Sequence, residues 1–241
     1  MKADNDGPQP PCSRRLACLG AVLCLLVLVR GLALMCILPP GEAWDEYQHL
    51  AYLHHLVDPG RLPILGQATV PADIQREVAR WPQPQAAVAQ FGGSGRSYSD
   101  HWLGNQPPRV TSPPIRLYQA QHSPLYYLLM RPVYILSGAT ADLVNSLAML
   151  RLANLLLLVA ATFLFMLAIC RLTPDRRLRA WSASAVALSP LLLLTSVRVA
   201  NDGLAVVFVA AAFWACAALA MRPTRTSRIR HAGICAGLGV L

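Results

Sequence analysis

Long apolar runs alternate along this chain with short basic clusters, and one long polar stretch separates the first run from the others. The first run extends from Leu16 to Leu38 and is interrupted only by Arg30. Roughly twenty apolar residues suffice to span a bilayer as a helix, so 16–38 is predicted as a transmembrane helix. A cleaved signal peptide would have a shorter apolar core ending in small residues, unlike Met35-Cys36-Ile37 before two prolines. Further runs cover 147–170, 180–197 and 203–221, and another opens at Ala232 and is cut at Leu241. The pattern predicts an all-α, polytopic helical membrane protein with a long extracytoplasmic first loop over 39–146. Helices 2–4 and the start of a truncated fifth occupy 147–241. Residues 1–15, with Asp4, Asp6, Gly7 and three prolines, read as a disordered cytoplasmic leader.

Within the loop, Pro39 and Pro40 stop the first helix, because proline lacks the N–H and crowds the preceding turn. A helix over 45–57 follows, with Asp45 as its N-cap and Asp58-Pro59-Gly60 as its stop. Residues 71–80 are predicted as a short amphipathic helix. Trp81-Pro82-Gln83-Pro84, Phe91-Gly92-Gly93-Ser94-Gly95 and Asn105-Gln106-Pro107-Pro108 break regular structure. Residues 123–137 are apolar but short, and carry Arg131 and Pro132 in their middle. A central arginine costs about 2.5–3.5 kcal/mol on insertion scales, and Tyr126, Tyr127 and Tyr134 suit a helix lying on the membrane surface.

Charge decides between the two placements of 123–137. The chain carries 21 Lys+Arg against 12 Asp+Glu, which by itself would admit a nucleic-acid partner. However, the arginines flank the apolar runs, at 14–15, 171–179 and 222–230, as loop charges do in membrane proteins. With 123–137 on the surface, all three clusters fall on the cytoplasmic side. If it spanned, the cluster at 171–179 would lie outside. The chain is 55% hydrophobic and 14% charged, which excludes an ordinary soluble domain and leaves membrane lipid, not nucleic acid, as its surroundings. None of the seven cysteines falls between 39 and 146, and no Cys/His spacing suggests a disulfide framework or a metal site.

The candidate chemistry begins at Pro39-Pro40-Gly41-Glu42-Ala43-Trp44-Asp45-Glu46-Tyr47-Gln48-His49, just past the first span. In a helix Asp45 and His49 share a face, as do Glu46 and His49. A carboxylate pair at a lipid–water boundary could deprotonate an acceptor hydroxyl. The plainer account is a cap with solvated first-turn acids. His122 precedes Ser123-Pro124, and Asp202 occupies the short hairpin between two spans. An acid at that depth is a functional candidate, or else a cap for the helix that follows. Arg151 and Arg198 could ligate a lipid phosphate, or simply snorkel to the interface. The topology brings all of these to one outer surface.

In order and placement these features resemble the N-terminal half of membrane glycosyltransferases of the C fold class. That class includes the protein O-mannosyltransferase and aminoarabinose-transferase types and related bacterial membrane proteins. Trp44-Asp45-Glu46 is similar to the class's acidic motif in the first outer loop. Gln121-His122-Ser123-Pro124-Leu125-Tyr126-Tyr127 resembles its juxtamembrane H/K-P-P-L-Y-Y motif, with Ser123-Pro124 where the class has paired prolines. Ser189-Pro190 followed by Asn201-Asp202 resembles its S-P…D signature. The resemblance covers about 39–221. It implies a polyprenyl-phosphate sugar as donor, Asp45 as base with Glu46 beside it, His122 and Arg198 at the donor phosphate, and Asp202 shaping the site. It also implies a multi-pass protein of the bacterial plasma membrane whose later spans are missing here, so that this piece alone is not expected to be active. Two other classes remain open. A small transporter would want polar groups near the bilayer midplane, where only Arg30 stands. A non-catalytic membrane scaffold would leave the meeting of Asp45, His122 and Asp202 as coincidence.

Overall fold

A computed structural model describes residues 14–41, 45–82, 97–104, 114–138 and 142–221. Residues 1–13 of the leader, Trp44, the breakers at 91–95 and 105–108, the arginines at 222–230 and the last apolar run lie outside the described residues, whereas Arg14 and Arg15, expected in the leader, open the first helix. The helices are α1 (Arg14–Ile37), α2 (Glu46–Val57), α3 (Ala72–Arg80), α4 (Tyr98–Trp102), α5 (Leu125–Leu136), α6 (Leu143–Leu172), α7 (Arg176–Leu188), α8 (Pro190–Val197) and α9 (Asp202–Met221). A 3₁₀ turn over Tyr118–Gln121 precedes α5. No strand occurs among the described residues, and the chain has an all-α, membrane-protein fold.

Three helices, α1, α6 and α9, are long and apolar enough to cross a membrane. α1 and α6 pack antiparallel: Gly20 meets Met166 at one end, and Arg151 reaches Leu38 at the other. A Cβ at Gly31 would overlap the Leu155 side chain, so glycine sets how closely these two helices approach. The chain therefore leaves α1 and re-enters α6 at the same end of the bundle. Between them, α5 has 12 residues, about 18 Å of helix against a hydrocarbon core of about 30 Å. Its Tyr126, Tyr127, Met130 and Tyr134 are buried, whereas Leu128, Leu129, Ile135 and Leu136 are exposed on the opposite side.

The second span begins earlier than its hydropathy indicates. α6 has 30 residues, about 45 Å, and its first turns carry Ser146, Arg151 and Asn154, all buried. Asp142 caps it by accepting from the Asn145 N–H. The run at 180–197 is divided between two helices. α7 and α8 are bent by 42° at Ser189-Pro190. Proline cannot continue the ladder of the preceding helix, and Ser189 instead caps a new one by accepting from Leu192.

The loop has its own core, built on α2. Nine of the twelve α2 residues are buried, among them Tyr47, Leu50, Leu53 and Leu56, which pack with Ile74, Val78, Tyr127, Met130, Leu147 and Leu150. Segments 68–70 and 115–117 close this core by an antiparallel bridge, through Val70 N–H to Ile115 O at 2.8 Å and Leu117 N–H to Ala68 O at 2.9 Å. A second core, with Leu23, Val27, Leu155, Leu158, Ala187 and Leu193, lies between the spans.

At the end opposite the loop, Arg171 stacks over Trp214 at 4.8 Å, and Arg176, Arg177 and Arg179 open α7. With arginines retained on the cytoplasmic side, a single cysteine at Thr173 in a cysteine-free background should resist an impermeant thiol reagent in intact cells. One at Thr69 should react. Labelling of Thr173 from outside would reverse the topology.

Candidate functional site

Asp45, His49, His122, Arg198 and Asp202 come together from three stretches of chain: the start of α2, the segment leading into α5, and the turn between α8 and α9. The sequence expectation that Asp45 caps α2 by its side chain is corrected, since no such cap bond forms. Asp45 Oδ2 faces His49 Nε2 at 3.6 Å and also accepts from Gln119 Nε2. Gln119 is brought there by Gln48, which is buried on α2. Gln48 accepts from the Tyr118 N–H at 3.1 Å and donates to Arg116 O at 3.1 Å, stapling the 3₁₀ turn to the helix.

His49 is 2% exposed and its Nδ1 lies 2.9 Å from the Tyr127 hydroxyl. Its other ring nitrogen, Nε2, is the one that faces Asp45. Tyr127 is itself fixed by stacking on Tyr52, with ring centroids 3.6 Å apart and planes at 4°. The His49 and His122 rings lie 6.3 Å apart, and His122 Nδ1 meets Asn201 Nδ2 at 3.4 Å. Arg198 Nη2 contacts Asp202 Oδ2 at 2.6 Å.

The electrostatics follow from these neighbours. Burial pushes the Asp45 carboxyl up, but the His49 hydrogen bond and charge, helped by Arg198, outweigh it and hold the group below its ordinary value. Asp45, whose side chain is 26% exposed, is thus an ionised carboxylate at neutral pH with an edge open to solvent. Burial and the nearby His49 push His122 down, against the opposing pull of Asp45 and Asp202. At neutral pH His122 is therefore an uncharged imidazole, able to donate from one nitrogen and accept at the other.

Glu46 and Arg151 are placed elsewhere. Asp45 and Glu46 diverge, so the expected carboxylate pair does not form. Glu46 is fully buried, and Arg151, 105 residues away, is 4% exposed. Arg151 Nε and Nη2 meet the two Glu46 oxygens at 2.9 and 2.7 Å. Glu46 also accepts from the backbone N–H of Val199 at 2.9 Å and of Gly41 at 3.3 Å. Gly41 has φ +75°, a conformation that suits glycine. Arg151 in turn donates to Leu38 O at 2.8 Å and Pro39 O at 2.9 Å. Both residues are thus turned into the protein, where they join the end of α1, the start of α2, α6 and the α8–α9 turn. Arg151, expected either at a lipid phosphate or snorkelling to the interface, holds this junction.

Asn154 was not singled out by sequence reasoning. It accepts from the Tyr126 hydroxyl at 3.2 Å and donates to Arg198 O at 2.5 Å and Ala200 O at 3.3 Å, so it clamps the turn that carries Arg198. Gln119 and Tyr127 were missed as Asp45 and His49 partners as well. Tyr127 lies inside the Leu125-Tyr126-Tyr127 stretch already noted, whereas Gln119 carries no signal of its own.

Among the described residues no three His, Cys, Asp or Glu side chains gather as a metal site would need. An open cleft of about 360 Å³, lined by Asp73, Arg76, Glu77, Arg80 and Asp142, lies between α3 and the start of α6 and contains none of the candidate residues. A groove of about 320 Å³ at the loop end of α1 has Met35, Ile37, Trp81, Leu147 and Arg151 in its walls.

Comparison with curated proteins and with solved structures finds no match. A family model does match, over residues 26–241, and its description names membrane location and no activity. A multi-pass membrane location agrees with the three long apolar helices. The chain belongs to the family described as Predicted membrane protein (DUF2142).

Proposed function

We propose that this chain belongs to an integral membrane glycosyltransferase of the bacterial plasma membrane, moving a sugar from a polyprenyl-phosphate donor to an extracytoplasmic acceptor. The observation that carries the reading is the cluster itself. An ionised, part-exposed carboxylate stands with a neutral imidazole and a guanidinium, drawn from three distant segments, where the spans meet the loop.

In this reading the acceptor hydroxyl gives its proton to Asp45 as its oxygen bonds to the anomeric carbon. The bond from that carbon to the phosphate oxygen breaks, and the polyprenyl phosphate leaves with the electron pair. Negative charge grows on the leaving phosphate, where the Nε2–H of His122 and the charge of Arg198 stabilise it. Asp202, bonded to Arg198, orients the guanidinium, and His49, backed by Tyr127, orients Asp45. Glu46 and Arg151 keep the frame rather than touch substrate. α5 lies on the outer membrane surface with Leu128, Leu129, Ile135 and Leu136 toward lipid.

The direct test supplies the full-length protein, in vesicles, with a panel of labelled polyprenyl-phosphate sugars and an envelope extract as acceptor. Label is expected to move into the acceptor from at least one donor. Absence of transfer with every donor would favour the scaffold.

A further inference from the structure

We propose that Arg30 is a positioning residue: it clips the bend between α7 and α8 and thereby places the turn that carries Arg198 and Asp202. Arg30 is the one charge within the first apolar run. It stands seven residues before the end of α1, about 10 Å down the helix, and helical side chains lean toward the N-terminus, which takes its head deeper still. None of the 12 Asp and Glu residues falls within an apolar run.

Its partners are backbone carbonyls. Nη1 donates to Ala187 O at 3.0 Å and Nη2 to Leu188 O at 3.4 Å. In a continuous helix the N–H groups of Leu191 and Leu192 would serve these oxygens. The break at Ser189-Pro190 disrupts that ladder: the two helices meet at 42°, and Leu192 N–H turns to the Ser189 hydroxyl at 3.4 Å. A buried carbonyl in a lipid environment has no water to fall back on. Arg30 therefore supplies, from a helix 157 residues away in sequence, what the proline break removes. It also sets a positive charge against the negative end of the α7 dipole. A plain snorkelling arginine would turn its head to the nearer interface, not onto a broken helix end.

The consequence for the site is geometric. α8 runs from this bend straight to Arg198, and its end is received by Glu46 at Val199 N–H and by Asn154 at Arg198 O. If the bend opens, that turn loses its register on both. The role assigned to Arg198 rests on the glycosyltransferase reading; the clip itself does not.

The test is a double-mutant cycle on the full chain in neutral detergent, read by melting midpoint and by hydrogen exchange. Arg30→Met should lower the midpoint by roughly 2–4 °C or more, about the shift one lost interaction gives in a chain of this size. In a Pro190→Ala background the helix can continue, its own N–H groups reach Ala187 and Leu188, and the added cost of Arg30→Met should largely vanish. Arg30→Gln, uncharged but still a donor, should lie between Arg30 and Arg30→Met. Locally, Arg30→Met and Pro190→Ala should each speed exchange of the Val199 amide severalfold while amides in the middle of α6 keep their protection. An equal loss in both proline backgrounds would overturn the clip. So would a harmless Arg30→Lys beside a Gln variant as poor as Met, because charge on a lipid anion would then be the role. Unchanged Val199 protection in both variants would overturn the positioning of the turn. These readouts need no sugar transfer, so a failed transfer assay and a failed clip are separate results.

Discussion

Glu46→Gln and Arg151→Met are each expected to destabilise the protein by about 3–5 kcal/mol, the range for removing one partner of a buried ion pair. Glu46 has 0% exposure and Arg151 4%, so the charge left behind has no water to turn to. Elsewhere, replacing both partners of such a pair with apolar residues is often neutral. Here the double replacement should not rescue, because the pair also satisfies four backbone groups: the Gly41 and Val199 N–H and the Leu38 and Pro39 carbonyls. Arg151→Lys should fail as well, since an ammonium lacks the planar fork that meets two carboxylate oxygens and two carbonyls together. Protease resistance and melting of the detergent-solubilised protein check this. Parental stability in either single variant would remove the junction from its central place in the fold.

Asp45→Asn in the complete protein is expected to lower sugar transfer by about 10²–10⁴-fold, the usual cost of losing a general base. Folding should survive, for reasons visible in the structure. Asp45 makes no side-chain cap bond to α2, so no helix start depends on its charge. An asparagine oxygen can still accept from Gln119, and the side-chain volume is unchanged. The pH dependence supplies an independent readout. The Asp45 carboxyl is held below its ordinary value of 3.8, chiefly by His49 against the push of burial. A group shifted this way contributes stability that is present above the unfolded value and lost as pH falls through the lower folded one. The wild-type protein should therefore lose some stability below about pH 4 that Asp45→Asn lacks throughout. Near-normal transfer by a folded Asp45→Asn protein would return the residue to a structural role.

The contrast between Asp45 and Glu46 shows how far the chain can be read by eye. Adjacent acids on one helix turn point about 100° apart, so a motif naming both does not say which one meets solvent. His49, at i+4 from Asp45, was legible as its neighbour from helical spacing. That His49 is backed by Tyr127, and Asp45 by Gln119, was not, because these partners return through a long irregular segment whose path no periodicity records.

What the sequence alone determined is what short-range physics encodes. Apolar runs of bilayer length, the proline stops at Pro39-Pro40 and the arginine clusters yield the spans, the loop that leaves and returns at one end, and the residues gathered there. Tertiary structure alone decided the partners. Arg151 looked like a phosphate ligand or a snorkelling arginine, yet it is neutralised by Glu46 from 105 residues away; Arg30 looked like a lone intramembrane charge, yet it serves two carbonyls freed by a proline 160 positions later. Run length and helical period are local properties and survive in one dimension. A buried donor, by contrast, takes whichever acceptor packing leaves unserved beside it, and that is settled only once the helices have met.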